Sequence, residues 1–114
     1  MKTIVVLKPA PGTDLEAIMR VLPREEPVLW SYLASGECRA VHYDEAVPSG
    51  VVLEFETAEP ERVRALVEAF PLVAEGLHTP EYHRLAPYTG LALMFRPDTG
   101  FAPRMPEAWE RPRT

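Results

Sequence analysis

Apolar positions along this chain alternate between two spacings, one suited to strands and one to helices, and the changes of spacing divide it into elements. Residues 3–8, TIVVLK, form a short apolar run closed by Pro9, Pro11 and Gly12, which reads as a buried strand. Thr13 and Glu16 match a capping box, and Leu15, Ile18, Met19 and Leu22 follow at helical spacing. Pro23 is read as interrupting that helix. The chain then resumes so that Leu29, Trp30 and Leu33 share a face as far as the stop at Gly36. Residues 37–45, ECRAVHYDE, alternate as a second strand; AVPSG is a turn, and VVLEFE (51–56) is a third strand. Pro60 opens a second helix, Val63, Leu66, Val67 and Phe70 make its stripe, and Pro71 ends it. LHTPEYHRL (77–85) is the fourth strand.

The order is βαββαβ, which predicts an α+β, ferredoxin-like fold with a four-stranded antiparallel sheet. Strands one and three are central in that topology, and two and four are edges; Pro80 falls in strand four, where an edge tolerates proline. Strand one is apolar on both faces, with Ile4 and Val6 on one and Val5 and Leu7 on the other. Strand three puts Val51, Leu53 and Phe55 on one face and Val52 on the opposite one. Two helices cover only one side of such a sheet, so a second copy of the chain is expected against the other side, as a homodimer. Residues 1–95 form the predicted domain. Residues 96–114 carry Pro97, Pro103, Pro106 and Pro112 and read as an extended arm. Phe101, Met105 and Trp109 are its candidate anchors, with a clamp on the dimer as the preferred role.

Composition narrows the class. A chain of 114 residues suits one domain, and its single cysteine, Cys38, excludes an internal disulfide framework. The net charge of −5 argues against nucleic acid as a partner. No stretch approaches the ~20 apolar residues of a membrane span, and the apolar run in MKTIVVLKP is too short for a secretory leader, so a cytoplasmic location is expected.

Candidate chemistry comes from titratable residues set in strands. His78 and His83 lie an odd number of positions apart, so in a strand they point to opposite sides and cannot share a metal; no metal and no cofactor is predicted. Glu81 and His83 share a face, where a carboxylate can orient an imidazole for proton transfer. Glu54 stands in the middle of a central strand and is a candidate general base. His42 faces it directly if Ala40 is opposite Glu56; if Arg39 is opposite Glu56, Val41 faces Glu54 and His42 turns away. The catalytic candidates are therefore Glu54, His42, His83 and Glu81. Trp30, Tyr32, Tyr43 and Tyr82 fall near the helix–sheet layer as core residues or as the lining of a site for a flat apolar ligand, and Arg84 is a candidate anchor for a ligand carboxylate.

The segments GECRAVHYDEAVPSGVVLEFETA, FPLVAEGL and RLAPYTGLALMF resemble the muconolactone isomerase-like group of small dimeric α+β barrel proteins, over most of residues 1–95. The most specific parts are residues 71–77 and 85–90; Glu54 departs from the apolar residue usual at its position. The resemblance implies a dimer whose two sheets form a barrel, with pockets between sheet and helices. It also implies a small cofactor-free enzyme performing isomerisation or cyclisation on a small apolar ring compound. Two alternatives stand beside it. One is a non-catalytic dimeric binding or scaffold protein, in which Glu54 pairs structurally with Arg39 or Lys8. The other is a cofactor-free monooxygenase on the same scaffold.

Overall fold

The computed structural model describes residues 1–96 and residue 98. Most of the predicted arm lies outside the described residues, as do Phe101, Met105 and Trp109. The elements are β1 (Lys2–Pro9), α1 (Leu15–Ser35), β2 (Cys38–Tyr43), β3 (Val51–Glu56), α2 (Pro60–Glu68), α3 (Pro71–Ala74) and β4 (His78–Leu85), followed by a 3-10 helix over Gly90–Phe95. All pairings are antiparallel and the strand order is β2-β3-β1-β4. The predicted ferredoxin-like α+β fold is therefore the observed one, with β1 and β3 central.

Burial alternates along β1: Thr3, Val5 and Leu7 are buried, while Ile4 and Val6 are half-buried. Val5 and Leu7, with Leu53 and Phe55 of β3, pack under the helices against Tyr32, Val63, Leu66, Val67 and Phe70. Ile18, Val21 and Leu72 form a smaller cluster between α1 and α3. Among the described residues no α-helix covers the other sheet face. Ile4, Val6, Ala40 and Val52 are half-buried at its middle, and Lys2, Lys8, Glu54, Glu56, Glu81 and His83 surround them. That face is mixed rather than uniformly apolar.

Two expectations about α1 are corrected. Its N-cap is Asp14, not Thr13: the Asp14 carboxylate accepts from the Ala17 amide at 2.7 Å. The helix also runs unbroken through Pro23 and Pro27. A proline inside a helix removes one i→i−4 bond, here those to the carbonyls of Met19 and Pro23. Met19, Pro23 and Pro27 recur every fourth residue along one exposed stripe. The orphaned carbonyls thus meet water, and the opposite face stays apolar enough to hold the helix on the sheet. Likewise α2 ends at Glu68, and Pro71 starts α3 instead of closing α2.

Candidate functional site

Strand register decides which candidates meet. β1 sets Ile4 opposite both His83 and Glu54, and Val6 opposite both Glu81 and Val52. β2 pairs with β3 in neither of the two expected registers. A bulge between Cys38 and Ala40 sets Ala40 opposite Glu54 and His42 opposite Val52. By register Glu54, His42, Glu81 and His83 all belong to the helix-free face, but as separate pairs. Lys2 Nζ lies 2.7 Å from Glu54 Oε1, so Glu54 is paired with Lys2 and not with Arg39 or Lys8. That contact raises the Lys2 ammonium above its ordinary pKa. His83 Nε2 is 3.3 Å from Glu81 Oε2, with both side chains about half exposed.

The predicted ligand-lining residues do not converge. Tyr32 is core: its hydroxyl donates to the Leu66 carbonyl at 2.7 Å, and its ring meets Phe55 and Phe70 edge-on. Trp30 comes one residue after Leu29, which turns it about 100° away from the packed stripe; it is 69% exposed. Tyr82 lies under α2, its buried hydroxyl unpartnered and the Arg64 guanidinium 4.5 Å above its ring. Arg84 spans 3.5 Å to Glu61 as a surface ion pair. Only Tyr43, 86% exposed, reaches a cavity, as its rim.

That cavity lies on the helix side of the sheet and has a volume of about 190 Å³. Ile18, Leu22 and Leu72 form apolar walls; Glu25, Glu26, Tyr43, Ser49 and His78 bring polar groups to it. A second recess of about 210 Å³ adjoins it, sharing Glu26, Tyr43 and Val51 and lined further by Leu29, Val41 and His42. His78 opens β4 opposite Pro9, and its side chain turns to the helix side with only 4% of the residue exposed. Among the described residues neither ring nitrogen has a hydrogen-bond partner. Burial pulls the imidazole pKa below its ordinary value, so the ring is neutral near pH 7. The Ser49 backbone opposes that shift weakly, from nearby but outside hydrogen-bonding geometry. Ser49 has φ of 62°, a left-handed conformation costly for a side-chain-bearing residue, adopted where the β2–β3 turn meets the cavity.

Glu25 comes from α1 and is 5% exposed. Its Oε1 accepts from the Leu72 amide at 2.9 Å, which caps the first turn of α3. Burial raises its carboxyl pKa, the Leu72 amide lowers it, and Glu26 adds to the rise. Glu25 and His78 line the same cavity, with no hydrogen bond or ion pair joining them. Among the described residues no cluster of three or more His, Cys, Asp or Glu is placed to hold a metal. Burial raises the Cys38 thiol pKa, consistent with a packing role.

Sequence reasoning did not place Glu25, Glu26 or Ser49 at a site and weighed His78 only as a metal ligand. A signal for Glu25 exists: it continues the stripe of Ile18, Val21 and Leu22 and precedes Leu29 and Tyr32, an acidic residue on an apolar helix face. Reading Pro23 as a helix end cut that stripe in two.

No protein-family model matches the chain, and no curated protein matches it. Solved structures resemble it. One is the 5-chloro-2-hydroxyhydroquinone dehydrochlorinase of Burkholderia phenoliruptrix, in complex with 2,5-dihydroxybenzoquinone. It is 18% identical with a TM-score of 0.63, over 79% of this chain and 98% of its own. The protein Atu4242 of Agrobacterium tumefaciens is 19% identical with a TM-score of 0.46, over 78% of this chain and 95% of its own. Among the described residues no helix is long and apolar enough to cross a membrane. At these identities the likeness extends to architecture: the chain has the ferredoxin-like α+β fold of the dehydrochlorinase.

Proposed function

We propose that this protein is a cofactor-free enzyme that moves a proton on a small ring compound held between α1 and the sheet, as an isomerase or cyclase does. The observation that carries this reading is His78, a buried imidazole with both nitrogens unpaired, lining the same cavity as the buried Glu25. A buried polar ring without a partner costs stability, so its retention points to a partner that arrives from outside. A cavity near 190 Å³ suits one six-membered ring, since an apolar cavity of about 150 Å³ takes benzene. The dehydrochlorinase, seen with 2,5-dihydroxybenzoquinone, is a case of this fold holding such a ring. The resemblance to the muconolactone isomerase-like group points the same way.

In this reading the neutral His78 accepts a proton from a carbon next to a ring carbonyl. The electron pair moves to the carbonyl oxygen, and the imidazolium returns the proton to a different carbon. Glu25, facing the same space, stabilises the imidazolium and holds a substrate hydroxyl.

A second copy of the chain is part of the proposal. It would cover the helix-free face, where half-buried Ile4, Val6, Ala40 and Val52 lie inside a charged rim, the anatomy of a protein interface. The Lys2–Glu54 contact supports a second, non-catalytic reading of that face, with Glu54 as an interface charge. Proton exchange separates the two sites. Enolisable lactones and cyclic ketones are incubated with the protein in D2O, and loss of the α-proton signal is followed by NMR. Glu25→Gln and His78→Phe should slow exchange by about 10²-fold or more, while Glu54→Gln leaves it within about threefold. The opposite pattern would move the chemistry to the helix-free face and end the pocket reading.

A further inference from the structure

The charges around the cavity say what kind of ring it can take, and this inference rests on the proposed site. Its polar groups are two carboxylates, Glu25 and Glu26, with one imidazole, one phenol and Ser49. Among the described residues no lysine or arginine lines it or the adjoining recess. The nearby basic residues of α1 are committed elsewhere: Arg24 pairs with Glu75 at 2.8 Å, and Arg20 with Glu16 at 3.7 Å. The Leu72 amide, which could receive a ligand anion, is already occupied by Glu25. An anion in this half-enclosed space would meet two carboxylates, with no cation among the described lining residues to offset them.

Hydroxyl groups, by contrast, match what is on offer. A ring hydroxyl can donate to a carboxylate oxygen of Glu25 or to the unprotonated nitrogen of His78, whose other nitrogen can donate to a ring carbonyl. Both imidazole nitrogens are then satisfied by one ligand, which removes the polar deficit of the empty cavity. The walls of Ile18, Leu22 and Leu72 supply the apolar contact for the ring itself. We infer that the cavity selects an uncharged, hydroxyl-bearing six-membered ring and rejects ring carboxylates of the same size.

The test uses 4-hydroxybenzamide and 4-hydroxybenzoate, which match in size and differ in charge, with hydroquinone as a smaller neutral probe. Each is titrated into the full chain at pH 8, and amide resonances of Glu25, Ser49, Leu72 and His78 are followed by NMR. The amide and hydroquinone should shift these resonances, and the benzoate should bind at least about tenfold more weakly. In the double variant Glu25→Gln, Glu26→Gln that preference should shrink to within about threefold, because the repelling charges are gone. A benzoate that binds as tightly as the amide overturns the inference and leaves the site standing. If no probe moves those four resonances, the site itself is refuted, and the inference falls with it.

Discussion

Replacing His78 with phenylalanine should make this protein more stable and at the same time disable its cavity. The imidazole is 4% exposed and both of its nitrogens are buried without a partner. A buried polar group left unsatisfied costs about 1–3 kcal/mol, so an apolar ring of similar shape should recover about 1–2 kcal/mol, allowing for the extra volume of phenylalanine. For a domain of this size that is a rise in Tm of about 5–10 °C. pH supplies a second readout. The folded-state pKa of His78 lies below its ordinary value of 6.5, because burial penalises the charged form. Between the two values the unfolded chain binds a proton that the folded chain does not. Stability is therefore complete above about pH 6.5 and falls as pH drops toward the folded value, by at most about 1.4 kcal/mol per unit for one proton. Glu25 acts in the opposite sense: its raised pKa favours the folded state as acid protonates it. Urea melts at pH 7.5, 6.5, 5.5 and 5.0, on the wild type and on His78→Phe, measure both effects. The variant should be more stable at every pH and should lose the wild type's decline below pH 6.5. A variant that is less stable at pH 7.5 and keeps the wild-type slope would refute the idea that His78 is an unsatisfied neutral ring.

Other perturbations test the parts around the site. Tyr32→Phe removes the buried bond to the Leu66 carbonyl and should cost about 1–2 kcal/mol in urea melts with no change in ligand binding; a loss below about 0.3 kcal/mol would show the bond to be idle. Val6→Glu places a charge at the middle of the helix-free face, where Val6 is half-buried in the single chain. Sedimentation should show a wild-type dimer at micromolar concentration and a variant whose dimer is weaker on the order of a hundredfold, with the monomer fold intact. A wild type that sediments as a monomer would remove the proposed interface.

The fold was legible because its signals are local. The alternation in VVLEFE and the stripe of Val63, Leu66, Val67 and Phe70 each need only a few neighbouring residues to be read, and proline and glycine mark most of the turns. Local reasoning failed where a distant contact overrode it. Pro23 reads as a stop, yet α1 continues, because the stripe from Ile18 to Tyr32 gains more by packing on the sheet and on Leu72 than the two missing backbone bonds cost. The register of β2 on β3 was open between two choices, and the bulge after Cys38 produced a third.

The candidate site divided along the same line. By itself the sequence determined that Glu81 and His83 share a strand face, that His78 and His83 oppose each other, and that one side of the sheet is left without a helix, since strand alternation and element order are properties of the chain. Only the tertiary structure decided that Lys2 takes Glu54, that Trp30 faces outward, and that Glu25 of α1 meets His78 of β4 across one cavity. The first and last of these join residues more than fifty positions apart, and they depend on how strands pair and how a helix settles on the sheet, which no local pattern encodes.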